Sequence, residues 1–235
     1  MTTLVECILK NLQRFFFFCV PCARIMGIPV YLHWTLLLIT YSMWHTHGGI
    51  EVIQYASILF AILLHELGHC YVGRIYGFKI KHITLCPIGG IAAIDFGIPD
   101  PKSEFLMTAA GPITSLGLAA LTFIPWYIFQ DVPLGKPIGN FFDINMMLFG
   151  FNLLPGFPMD GGRILRSTLN WLWGDVLRAT HVAATVGLVL SISFWLVGIS
   201  FHKASLCLIA PIIALLAESE YLYLVRKVKE QDDAS

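Results

Sequence analysis

One stretch constrains this chain more than any other. His65-Glu66-Leu67-Gly68-His69 sits inside an apolar run from about Val52 to Ile75. Two imidazoles and a carboxylate are costly to hold in a helix that crosses lipid, and such side chains are functional by default. The run has the length of a spanning helix, which needs about 20 mainly apolar residues. On that helix His65 and His69 share one face, about 6 Å apart. Two imidazoles so placed can bind one Zn²⁺ at about 2.0–2.1 Å each. Glu66 follows His65 directly and is turned about 100° around the helix axis. That direction suits a carboxylate that handles a water beside the metal rather than one that ligates it.

The rest of the chain fits a lipid setting. Of its 235 residues 57% are hydrophobic and 13% charged, against about a quarter charged in a soluble domain. A soluble core of this size could not hide so much apolar surface. Net charge is zero, so no broad basic face argues for nucleic acid. Six runs read as spanning helices: about 28–44, 52–75, 105–129, 141 to the 152–162 stretch, 176–199 and 204–225. The expected fold is an all-α polytopic membrane protein of about six transmembrane helices.

Positive charge tests this division, because Lys and Arg collect on the cytoplasmic side. Thirteen of the fifteen Lys and Arg residues fall before the first span, between the second and third, between or beside the fourth and fifth, or after the sixth. Only Lys136 and Lys203 fall on the other side. Six spans with both termini cytoplasmic explain the alternation, and an odd number would scramble it. Between spans two and three, Phe78 to Leu85 is β-prone, Pro87-Ile88-Gly89-Gly90 turns, and Ile91 to Ile94 follows. That pattern predicts a short hairpin or re-entrant element near residues 78–94. Residues 1–25 read as an N-terminal extension, with a short interfacial segment at Phe15 to Val20. Residues 26–235 read as one membrane-embedded domain, and Met26 is a candidate start.

A catalytic zinc site needs three protein ligands and one open position. The fourth span ends in Asn152-Leu153-Leu154-Pro155-Gly156-Phe157-Pro158-Met159-Asp160-Gly161-Gly162. The prolines break the helix there, and the glycines admit close backbone approach. Asp160 is a third ligand or, on the plainer reading, part of a helix-capping turn. Arg163 and Arg166 follow it, so this end is cytoplasmic by the charge pattern. Arg74 lies five residues beyond His69, which puts the two histidines roughly 8 and 13 Å inside that anchor. Both halves of the proposed site therefore face the same side.

Together these pieces resemble the site-2 protease family of intramembrane zinc metalloproteases. The matching motifs are His65-Glu66-Leu67-Gly68-His69, Asn152 through Pro155 and Pro158 to Asp160-Gly161-Gly162, Pro87-Ile88-Gly89-Gly90 and Ala110-Gly111-Pro112. Gly27 to Trp34 is similar to the opening of bacterial and archaeal members. The resemblance covers about Met26 to Leu224. It implies that His65, His69 and Asp160 hold one Zn²⁺ and that Glu66 is the catalytic carboxylate. Asn152 would hold the reacting carbonyl or the site geometry; the plainer reading is a hydrogen bond within its own helix. It further implies a membrane-protein substrate with a transmembrane helix, cut in or near that helix, and a prokaryotic cell membrane as the setting.

Some features depart from the pattern. Where the family often has Asn three residues after the Gly-Pro, this chain has Ser115, which puts a local polar contact in question. A compact form without PDZ or CBS modules is expected. The six cysteines include Cys19 and Cys22 in a CxxC, and all are expected as free thiols. His33 could contact the site or bond backbone; His45, His47, His82, His181 and His202 are read as bystanders. Two other functions remain open. A catalytically inactive metal-binding scaffold is disfavoured by Glu66. A transporter that uses buried ionisable groups as an ion path is disfavoured by the lack of visible inverted repeats.

Overall fold

In a computed structural model of the chain, residues 18–46, 48–87, 89–95 and 100–232 are described. Among them are two strands, β1 (Cys19–Ile25) and β2 (Ile28–His33), then helices α1 (Thr35–Thr46) and α2 (Gly49–Ile75). Two further strands follow, β3 (Lys79–Cys86) and β4 (Gly89–Asp95). The remainder is helical: α3 (Pro101–Phe129), α4 (Gly135–Asn152), α5 (Asp160–Trp173), α6 (Val176–Ser200) and α7 (Ala204–Asp232). The helices Gly49–Ile75, Pro101–Phe129, Val176–Ser200 and Ala204–Glu230 are long and apolar enough to cross a membrane.

The all-α expectation gives way to a mostly helical fold with a small sheet. The hairpin foreseen at 78–94 is present, but it is half of a four-stranded sheet ordered β1-β2-β3-β4. β1 and β2 are antiparallel, as are β3 and β4, while β2 runs parallel to β3. The first span, expected as a helix over 28–44, begins instead as β2. Pro29 has no N–H to give a helix ladder, and Ile28 and Val30 alternate with less buried neighbours. A period of two fits a strand packed on one face. Ile28, Ile83 and Leu85 form a core with Leu36 of α1 and Cys70 of α2. The 12 residues of α1 rise only about 18 Å, short of the roughly 30 Å hydrocarbon thickness.

β1 lies in the segment read as an extension ahead of Met26. It turns into β2 through Met26 and Gly27, both at positive φ (52° and 76°), as a two-residue hairpin loop matching the strand twist requires. The Met26 carbonyl accepts a hydrogen bond from the Arg74 guanidinium at the end of α2. Phe15 to Phe17 of the expected interfacial segment lie outside the described residues, as does His47.

Close backbone approach sets the rest of the packing. α2 meets α3 where Gly68 faces Ala110 and Thr114; a Cβ there would lie 2.3 Å from the Thr114 hydroxyl. After α4 the chain forms a non-helical loop, 153–159, around fully buried Phe157. Phe157 packs with Ala183 and Ala184 of α6 and Ala217 of α7. The loop lies backbone against backbone on α6, since a Cβ on Gly187 would fall 2.3 Å from the Phe157 carbonyl oxygen. Gly187→Ala is therefore expected to lower the thermal unfolding midpoint, with an overpacking cost of about 1–3 kcal/mol. Gly117→Ala, inside α3 but where a Cβ meets nothing within 4 Å, is expected to leave that midpoint unchanged or raise it, since Ala favours helix over Gly.

Candidate metal centre

α2 carries His65 and His69 one turn apart, both buried at 3% and 7% exposure. α5 begins with Asp160, and its side chain meets both rings. Oδ2 lies 3.0 Å from His65 Nε2 and 3.2 Å from His69 Nε2, and the two Nε2 atoms are 3.2 Å apart. These are the three residues whose spacing could hold a metal ion among the described residues. The sequence separation closed by this contact is 95 residues.

The local sequence explains why Asp160 can reach. Gly161 and Gly162 follow it, and a Cβ on either would strike the backbone of residues 153–157 at 2.2–2.4 Å. The first turn of α5 thus lies flush against the loop before it. An anion at the first turn of a helix is also favoured by the helix dipole.

Each imidazole is held from behind by α3. His69 Nδ1 donates to the Met107 carbonyl at 2.9 Å. A carbonyl can only accept, so Nδ1 carries the proton and Nε2 presents a lone pair. His65 Nδ1 lies 2.9 Å from the Ser115 hydroxyl, which can accept from the same tautomer. With both rings protonated at Nδ1, two ring nitrogens and a carboxylate oxygen face one another with lone pairs only. Such a set is repulsive without a cation among the atoms. The edges of 3.0–3.2 Å come close to the edges of about 3.3–3.4 Å implied by tetrahedral Zn²⁺ with 2.0–2.1 Å bonds. The donor set therefore fits zinc. Room for the rings comes from Gly111, where a Cβ would stand 2.1 Å from His69 Nε2 and 2.7 Å from His65 Nε2.

Glu66 is half-buried on α2. Its stem lies under β4: a Cβ on Gly90 would come within 2.7 Å of Glu66 Cγ. β4 is an edge strand, so an open ladder runs beside this carboxylate. Asn152 donates from Nδ2 to the Leu148 carbonyl at 3.0 Å, one turn back in its own helix. His33 lies 2.6 Å from the Thr35 hydroxyl through Nδ1, at the corner between β2 and α1.

Sequence reasoning had no role for Met107, read Gly90 only as part of a turn motif, and read Ser115 only as a departure; Gly90 instead lies in β4. Ser115 is fully buried; a polar residue on the same helix face as the Ala-Gly-Pro motif was the available signal. Glu104 was also passed over. It sits at 0% exposure near the start of α3, where Arg166 of α5 donates to its Oε1 through Nε at 2.9 Å and through Nη2. Arg163 donates to Glu220 of α7 at 2.9 Å. Both arginines had been read only as cytoplasmic anchors.

Comparisons with known proteins converge on one family. The description "Peptidase family M50" matches residues 54–142 and 129–194. A zinc metalloprotease of Methanocaldococcus jannaschii is 37% identical over 206 residues, 84% of this chain and 59% of that protein. A relative from Mycobacterium tuberculosis is 31% identical over 215 residues, 77% of this chain and 51% of its own length. The chain thus spans about half the length of the curated relatives it matches. The solved site-2 protease from Methanocaldococcus jannaschii aligns with a TM-score of 0.67 at 34% identity, over 87% of this chain and 95% of that one.

Two substitutions test the second layer of the site. Ser115→Ala removes the hydroxyl behind His65 and is expected to weaken zinc binding about 10–100-fold in chelator competition. Gly111→Ala puts a methyl between the rings and is expected to abolish binding, while circular dichroism remains helical.

Proposed function

This chain belongs to peptidase family M50, the site-2 protease family, and from that premise we propose that it is an intramembrane zinc endopeptidase. Its substrates are membrane proteins, cut in or near a transmembrane segment. The observation that carries this reading is the convergence of His65, His69 and Asp160 within one ligand-sized cluster, with Glu66 beside it on α2. In this reading His65, His69 and Asp160 hold one zinc ion per chain. Zinc, when bound, supplies a Lewis acid that brings the pKa of water toward about 7.

The remaining chemistry belongs to the chain's own groups. Glu66 accepts the proton of the attacking water and returns it to the leaving amide nitrogen, as a general base and then a general acid. Met107 and Ser115 keep both rings in the tautomer that leaves Nε2 free. Asn152 is assigned a supporting role at the reacting carbonyl; its bond to Leu148 supports the alternative of a helix-end tie.

A helical substrate hides its peptide bonds in its own ladder, so it must unwind locally. The open edge of β4 beside Glu66 suits an extended segment received by strand addition. The charge alternation supports an even number of crossings with both termini cytoplasmic; six requires β2 and the short α1 together to make the first, and the archaeal and bacterial relatives support a prokaryotic cell membrane. The site would then be reached from the cytoplasmic face. Residues 26–235 would act as the membrane-embedded protease domain behind the 1–25 extension.

Glu66→Gln is the deciding variant. It is expected to keep zinc and lose proteolysis of a membrane substrate by at least about 100-fold, the lower range of acid–base contributions. Loss of zinc, or full turnover, would count against the assignment. Proline at Ala92 and at Ala93, one of whose N–H groups must face the open edge, is expected to stop cleavage with zinc content intact. Unchanged turnover in both would remove strand addition from the account.

A further inference from the structure

Asp160 is the outlying ligand. Its two partners share a helix, but Asp160 arrives from 95 residues away at the very start of a 14-residue helix. The two residues after it are glycines, with no side chain to grip a neighbour. The first side chains of α5 that can fix the helix are further along, and one of them stands apart. Arg166 is 5% exposed and six residues past Asp160, about 9 Å along the axis.

Its guanidinium meets three separate segments. Nε and Nη2 donate to Glu104 Oε1 of α3. Nη1 lies 4.0 Å from Glu220 Oε2 of α7. The planar group stacks over the Phe157 ring of the 153–159 loop, 5.1 Å from its centroid. Glu104 is wholly buried, and its second oxygen, Oε2, has no hydrogen-bond partner. A pair left half-satisfied in this way is poor as a stabiliser, because apolar residues of similar volume often serve stability as well or better. What such a pair supplies is direction, through a rigid fork on one oxygen.

That direction points back to the metal ligands. Glu104 is three residues from Met107, whose carbonyl fixes His69. The same turn of α3 therefore references one imidazole directly and the carboxylate through Arg166. We propose that Arg166, seated on Glu104, is the positioning residue for Asp160, and that this buried pair sets the affinity of the chain for zinc. The proposal rests on the reading of Asp160 as a ligand.

The test uses the full chain in detergent, with zinc affinity measured by chelator competition and unfolding followed without metal. Three variants are compared: Arg166→Met, the double variant Glu104→Met with Arg166→Met, and Asp160→Asn. Arg166→Met and the double variant are expected to bind zinc about 10–100-fold more weakly, as loss of an outer-shell partner does. The double variant, with no charge left unpaired, is expected to match the parent in unfolding midpoint or exceed it. If Arg166→Met alone fails to fold, the double variant is decisive. Parental zinc affinity in the double variant would overturn the proposal, and so would failure of both to fold, since the pair would then be a folding requirement. Asp160→Asn separates the two levels: if it too keeps parental affinity, the ligand reading itself falls, whereas a loss there with none at Arg166 defeats only the positioning role.

Discussion

The structure depends on α3 more than on the helix that bears the recognisable motif. α2 supplies two imidazoles, but an imidazole on a helix can rotate about two side-chain bonds. α3 removes that freedom with a carbonyl behind one ring and a hydroxyl behind the other. It can lie so close only because Gly68 on α2 and Gly111 on α3 carry no Cβ. The motif names the candidate ligands; the neighbouring helix gives them a common direction. Outer partners of this kind are half of a metal site's design.

The candidate metal cluster was legible because its residues are expensive where they stand. His65, Glu66, His69 and Asp160 interrupt apolar runs, and an interruption in lipid asks for a reason. Each of the four long apolar helices was visible for the converse reason. The strands Cys19–Ile25 and Ile28–His33 were hidden. β2 runs into α1 with only His33 and Thr35 as polar residues at the corner, and a short apolar run has no period that separates strand from helix. Its partners decide the matter: β1 just before it and parallel β3, some fifty residues on.

The ion pairs escaped for a different reason. A residue-by-residue reading assigns Arg163 and Arg166 to the membrane surface, which is where unpaired arginines go. Arg166 is instead buried against Glu104, 62 residues earlier in the chain. Nothing local signals that match, because a carboxylate near the start of a helix already has a sufficient local explanation in the helix dipole. Ser115 has the same lesson in smaller form. A hydroxyl in place of an amide looked like a loss of contact, yet the shorter side chain reaches His65 Nδ1 at hydrogen-bond distance.

The contact between Arg74 and the Met26 turn fixes a datum. One guanidinium ends α2 and also grips the hairpin from which the sheet extends. The depth of β4 is thereby measured from the same helix that bears both histidines, not from the surrounding lipid. Bilayers differ in thickness by several ångströms, and embedded helices tilt to accommodate them. Under such tilting, strand and imidazoles travel as one ruler, so the spacing between the open edge and Glu66 is insulated from the membrane in which the protein resides.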